Sequence, residues 1–242
     1  MSEFIVTLDI DWASEVAIEM TLEFFKKAKI CTTVFITHFS PYITANMKEF
    51  DVGLHPFFGE NSSHGKTIDD VVAHITSLPH NIPAFRAHRF GVCNSSMQAM
   101  QEAGMLLSSN VCTDLVAIEP FTNRFGMTEL PVFLEDGGYL WREHSLKVGP
   151  ILKKKLISKG AKVLLIHPMH FVLNTPHFGF MQEIKKRLSR KAWKNLEEID
   201  LKRLKYSGWG VRDFILELLQ EAEQFSFLKS HTLRQRSLQL QN

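Results

Sequence analysis

The chain has 242 residues, 45% of them hydrophobic and 22% charged, with Lys+Arg 28 against Asp+Glu 26 for a formal net charge of +2. That length and composition suit one large domain with a sizeable core, and they exclude a disordered, collagen-like or disulfide-stapled chain. So even a charge balance gives no electrostatic footprint for nucleic acid or an anionic membrane surface.

Residues 4–10, Phe-Ile-Val-Thr-Leu-Asp-Ile, predict a buried strand. A helix follows over 13–29, where Val16, Met20 and Phe24 recur at helical spacing. Residues 32–37 are β-branched and aromatic, a second strand, and 41–50 predict a short helix. The third strand, 51–55, ends at His55. Thr67 to Asp70 has capping character and opens a helix to about residue 78. A short fourth strand spans 83–87, and a helix capped at Asn94 or Ser95 runs to Ala103 before Gly104. Two further strands are expected at 106–109 and 129–133, then a helix at 145–159 interrupted early by Gly149-Pro150. Residues 162–167 form a clear strand ending at His167, 180–206 are charged and helix-prone, and 211–224 form an amphipathic helix.

This alternation predicts a single α/β domain over 1–242 with a mainly parallel sheet and a C-terminal helical region from about 180 to 242. No Gly-x-Gly-x-x-Gly follows the first strand, so a closed or nearly closed barrel is preferred to an open sheet. Cys31, Cys93 and Cys112 lack Cys-x-x-Cys spacing and read as free thiols of a reducing compartment. The first residues carry no signal-peptide pattern, and the apolar runs are too short to cross a bilayer. A cytoplasmic protein without membrane insertion is expected.

In α/β barrels chemistry sits at the C-terminal ends of the strands. Here those ends carry Asp9 and Asp11, His55, Arg86 with His88 and Arg89, and His167 with His170. Asp9 and Asp11, two residues apart on an extended end, share a face, which calls for a cation between them or a division of roles. Asp with two His is an established divalent-metal set. Taken singly each residue has a plain reading: Asp11 as a helix N-cap, His55 as a satisfied buried histidine, His64 as an exposed loop residue. Trp12 and Trp141 read as packing residues.

Thr7-Leu-Asp-Ile-Asp11, Val52-Gly-Leu-His-Pro56, Phe85-Arg-Ala-His88 and Leu165-Ile-His-Pro168 occur in this order. Together they resemble the polysaccharide deacetylase (NodB-homology) family, closest to its branch associated with bacterial surface-polysaccharide and O-antigen gene clusters. The resemblance implies a distorted, incomplete (β/α)7 barrel of TIM-like kind. It also implies a metal-dependent hydrolase that removes an acyl group from an amino sugar, either a small molecule or part of a glycan. Carried onto this chain, it makes Asp9 the general base, Arg86 the group that holds it, Asp11 and His55 metal ligands, and His167 the general acid. The family's His-x-x-x-His has Gly59 in place of its second histidine. His64 is the first candidate for the missing ligand, with His88 as the alternative. The metal expected is divalent, zinc ahead of cobalt, nickel or manganese. A carboxylate such as Asp114 is expected beside His167 to keep it charged. The competing readings are a ureide or other amide hydrolase of the same architecture, and a catalytically inert sugar-binding protein with a degenerate site.

Overall fold

Side chains alternate along the first strand, and this divides the interior into two cores. The structure, a computed structural model, describes residues 2–224 and 232–235. In β1 (Ser2–Asp9), Phe4, Val6 and Leu8 pack outward among the helices, whereas Ile5 belongs to an inner core. Thr7 and Asp9 share that inner face. The other strands are β2 (Thr32–Ile36), β3 (Asp51–Leu54), β4 (Ala84–Phe85), β5 (Leu107–Ser108), β6 (Phe121–Thr122), β7 (Thr128–Glu129), β8 (Val132–Glu135) and β9 (Gly160–Ile166). They form a nine-stranded sheet in the order β6-β7-β5-β4-β3-β2-β1-β9-β8. Among the described residues only the β6–β7 pair is antiparallel.

The sheet curls. A parallel bridge joins Cys112 to Val132, and Val132 N–H donates to Val111 O at 2.7 Å. The stretch after β5 thus meets β8, and the sheet is an incomplete TIM-like barrel. Strands β1–β5, β8 and β9 make its wall; the β6–β7 hairpin is an addition beside β5. The inner core includes Ile5, Phe35, Leu107, Val132, Val163 and Leu165. At the end where the strands begin, Leu233 joins that core fully buried, its N–H donating to Thr33 Oγ1 at 3.1 Å.

Helices α1 (Glu15–Lys27), α2 (Pro41–Ala45), α3 (Ile68–Thr76) and α4 (Asn94–Glu102) follow the early strands. Later come α5 (Asp136–Trp141), α6 (Pro150–Leu156), α7 (Pro168–Leu173), α8 (Phe178–Arg187), α9 (Arg190–Lys194), α10 (Glu198–Leu204) and α11 (Val211–Gln224). Ser14 Oγ caps α1 by accepting from Ala17 N–H, and Thr67 with Asp70 forms a capping box on α3. Helix α6 is shorter than expected because Pro150 occupies its first turn, where a fixed φ and a missing N–H cost nothing. At Gly53 β3 runs close to β4: a Cβ there would lie 2.7 Å from Ala84 O. None of the described helices is long and apolar enough to cross a membrane. Residues 225–231 and 236–242 of the expected C-terminal helical region lie outside the described residues.

Candidate active site

Arg86 follows the two-residue strand β4, and its guanidinium is fully buried inside the barrel. Nη1 donates to Asp9 Oδ1 at 2.8 Å and to Thr7 Oγ1 at 2.9 Å. Nη2 donates to Ser109 Oγ at 2.8 Å, and Nε to Ser109 O at 3.1 Å. The group lies over the Phe35 ring, 4.5 Å from its centroid. A charge this deep is tolerated only when paired and hydrogen-bonded throughout, so the same bonds fix the Asp9 carboxylate. Asp9 Oδ2 remains, 3.6 Å from His55 Nδ1.

The chain leaves β1 through two left-handed residues, Asp11 (φ 40°) and Trp12 (φ 54°). This turn brings Asp11 to the barrel mouth. His55 Nδ1 lies 2.6 Å from Arg86 O. A carbonyl only accepts, so Nδ1 carries the proton and a neutral ring turns the Nε2 lone pair outward. That Nε2 is 3.1 Å from Asp11 Oδ1, and His88 Nδ1 is 3.0 Å from the same oxygen. Ligand atoms of Asp11, His55 and His88 all lie within 4.8 Å of one another. A lone pair facing a carboxylate is repulsive unless a proton or cation lies between. One carboxylate and two imidazoles are a donor set that a divalent metal takes, so the residues present fit such an ion. Burial pushes the Asp11 carboxyl upward, but the charge on His167 and contacts with His55 and His88 outweigh it and hold the group well below the usual carboxylate range.

His64, ranked first from the sequence as the third ligand, stands apart from that group. Its Nδ1 accepts from Phe57 N–H at 3.1 Å, and its ring stacks on His74 at 5.0 Å. Burial, with His74 adding, pushes it down to about 4. It braces the loop after β3, and the short helical turn at His88–Phe90 delivers His88 instead.

Facing this group is His167, between β9 and α7. Its backbone N–H donates to Asp136 Oδ2 at 2.7 Å, and its Nδ1 donates to Asp136 Oδ1 at 2.5 Å. Nε2 points to Asp11 Oδ2 at 3.5 Å. Burial opposes the imidazolium, yet Asp136 and Asp11 overcome it and push its pKa up to about 10. The partner is therefore Asp136 and not Asp114, which pairs with Arg142 at 3.2 Å and His144 at 3.3 Å. The sequence signal for Asp136 lay in Val132-Phe-Leu-Glu-Asp136, a strand running two residues past its expected end to a carboxylate, like the other strand ends. His170 bonds Thr175 Oγ1 through Nδ1 at 3.0 Å, and burial pushes it down to about 4.

Asp9, Asp11, His55, His88, His167 and His170 line one cleft of about 1140 Å³, whereas His64, Arg86 and Asp136 do not. Trp12 and Trp141 are walls of that cleft rather than packing residues, and Trp141 is 62% exposed there. Arg89, Lys185 and Arg190 line it too. The Lys185 side chain is exposed at the rim, and partial loss of solvent within the cleft pulls its ammonium below the ordinary pKa, with Asp11 opposing and Arg89 adding to the effect.

Comparison with known proteins supplies a family. The description that matches, WbmS-like polysaccharide deacetylase, covers residues 6–185. A solved structure from Bordetella bronchiseptica, described as a polysaccharide deacetylase involved in O-antigen biosynthesis, is 23% identical over 90% of this chain and 89% of its own, with a TM-score of 0.76. A second, from Mycobacterium smegmatis and described as a polysaccharide deacetylase, is 15% identical over 99% of this chain and 90% of its own, with a TM-score of 0.54. Both share the fold. No curated protein matches the chain.

Proposed function

The chain belongs to the WbmS-like polysaccharide deacetylases, hydrolases of amide bonds, and from that premise we propose a metal-dependent enzyme that removes the N-acyl group of an amino sugar during surface-polysaccharide synthesis. The observation that carries the metal is the tautomer of His55. With Nδ1–H bound to Arg86 O, Nε2 offers a lone pair to the same point as Asp11 and His88. Asp11, His55 and His88 would hold the ion, with His88 in the place first given to His64. Zinc is the metal this donor set suits best. The O-antigen context rests on the fold shared with the Bordetella protein.

When bound there, a divalent cation supplies Lewis acidity, making water more acidic and polarising the acyl carbonyl. The chain's own residues move the protons. Arg86 clamps Asp9 Oδ1 and leaves Oδ2 to take a proton from the attacking water, help worth about 10²–10⁴-fold. His167 is charged, and with Nδ1–H on Asp136 its Nε2–H faces the cleft. It donates that proton to the sugar nitrogen as the carbon–nitrogen bond breaks, so that an amine leaves rather than an amide anion. An inert sugar-binding protein would have no use for a base and an acid facing one another across one cleft.

The test is release of free amine from an N-acetylhexosamine oligosaccharide by protein stripped with a chelator and then reloaded with zinc, cobalt, nickel or manganese. Activity is expected only after reloading, and Asp9→Asn is expected to bind metal without turnover. Full turnover by the stripped protein, or by Asp9→Asn, would overturn the reading.

A further inference from the structure

We propose that the cleft takes an amino sugar bearing an oxyanion, held by Arg89, Lys185 and Arg190 beside the reacting amide. This rests on the deacetylase reading of the same site and names the class of its substrate. The three cations arrive on separate elements: Arg89 in the turn after β4, Lys185 on α8, and Arg190 at the start of α9. All three line the cleft that holds Asp11, His55, His88 and His167. Lys185 Nζ stands 4.9 Å from the Trp193 ring centroid, and Arg190 Cζ stands 5.8 Å from that of Trp12. The cations therefore border the aromatic walls against which a sugar ring would lie.

No carboxylate of the described residues comes within ion-pair distance of these three side chains, although Lys26, Arg142, Lys153 and Lys202 each find one. The cleft is lined by Asp9, Asp11, Glu60 and Glu135 as well as by Arg89, Arg142, Lys185 and Arg190, so what marks these three cations is the lack of an ion-pair partner. Arg89 and Phe90 are both left-handed, at φ 57° and 54°, a conformation that L-residues adopt at a cost. His88 N–H on Pro56 O at 2.8 Å anchors the turn. The turn that sets His88 against Asp11 thus also carries Arg89 to the rim.

A neutral sugar would leave Arg89, Lys185 and Arg190 without an ion-pair partner, the carboxylates of the same cleft (Asp9, Asp11, Glu60 and Glu135) standing beyond ion-pair distance of them. A phosphate or carboxylate accepts the planar fork of arginine in two bonds and the lysine as a point charge. The oxyanion could be a phosphate joining the sugar to a carrier or the carboxylate of a uronic acid. The two share this chemistry and are separable by experiment.

The experiment uses zinc-loaded Asp9→Asn protein, so that probes are bound and not consumed. Calorimetry compares N-acetylglucosamine 1-phosphate, N-acetylglucosaminuronic acid and neutral methyl N-acetylglucosaminide. At least one anionic probe is expected to bind about tenfold more tightly than the neutral one. That advantage should shrink as salt rises from about 50 to about 300 mM. Adding Lys185→Gln or Arg89→Gln should weaken the anionic probe about fivefold more than the neutral probe, with Lys185→Arg restoring most of the difference. Which anion wins identifies the source. Equal binding of all three probes, binding of none, or a preference that survives both glutamine variants would overturn the inference. The deacetylase reading fails separately, if the metal-loaded wild-type protein releases no amine from any N-acetyl sugar.

Discussion

His167 and Asp136 are joined twice, through the imidazole Nδ1 at 2.5 Å and through the backbone N–H at 2.7 Å. The double tie fixes the ring's tautomer and its direction, leaving Nε2 as the only nitrogen that reaches the cleft. Asp136→Asn keeps the shape and removes the charge. We expect kcat to fall by about 10²–10⁴-fold. The alkaline fall in kcat should also move to lower pH, because Asp136 supplies the largest share of the charge that outweighs burial. A pH profile of kcat decides; an alkaline limb that stays in place would show that Asp136 does not set the charge of His167.

Metal content separates the two histidines that compete for the third position. His88→Ala should lose the ion by mass-spectrometric metal analysis, because its Nδ1 faces Asp11 Oδ1 at 3.0 Å. His64→Ala should keep the metal and lose some thermal stability, since His64 holds Phe57 N–H at 3.1 Å. The reverse pattern would return His64 to the ligand set.

Arg86 unites structure and chemistry. Arg86→Met strands Asp9 as a buried carboxylate without its cation and leaves Ser109 O and Thr7 Oγ1 short of a donor. A loss of about 3–5 kcal/mol in unfolding free energy is expected, with activity abolished. Urea denaturation measures the first; a loss under about 1 kcal/mol would mean the pair contributes little, as exposed pairs do.

Lys162 gives the fold a pH dependence independent of the site. Burial pulls its ammonium down to about 8 from an ordinary 10.5, with Glu119 opposing. Between those values the unfolded chain binds more protons than the folded one, so stability rises with pH across that window. Below it both states are protonated, and the cost of the buried charge is fully present. Lys162→Met should therefore be more stable than wild type at pH 7, with a flatter rise between pH 8 and 10.5. Denaturation midpoints at four pH values test this, and a wild-type curve that falls across the window would contradict it.

The strand ends were legible for a physical reason. Asp9, His55, Arg86 and His167 each close an apolar run, and a polar group there has the barrel mouth as its natural destination. Asp136 was not legible because the strand expected at 129–133 stops short of it, whereas the observed strand, with a register shift between Val132 and Leu134, runs on to Glu135. The choice between His64 and His88 turned on backbone that composition does not reveal. Two consecutive left-handed non-glycine residues, Arg89 and Phe90, carry no sequence signature, yet they shape the turn that presents His88. Helix α6 began at Pro150 because proline favours a first turn over a second.

Leu233 packs among Ile82 and Ala84 at the end of the barrel remote from the histidines. With that end filled by side chains, the groups of the site are reached from the opposite face, where the cleft lies. Arrival and departure at those groups therefore share one side of the barrel.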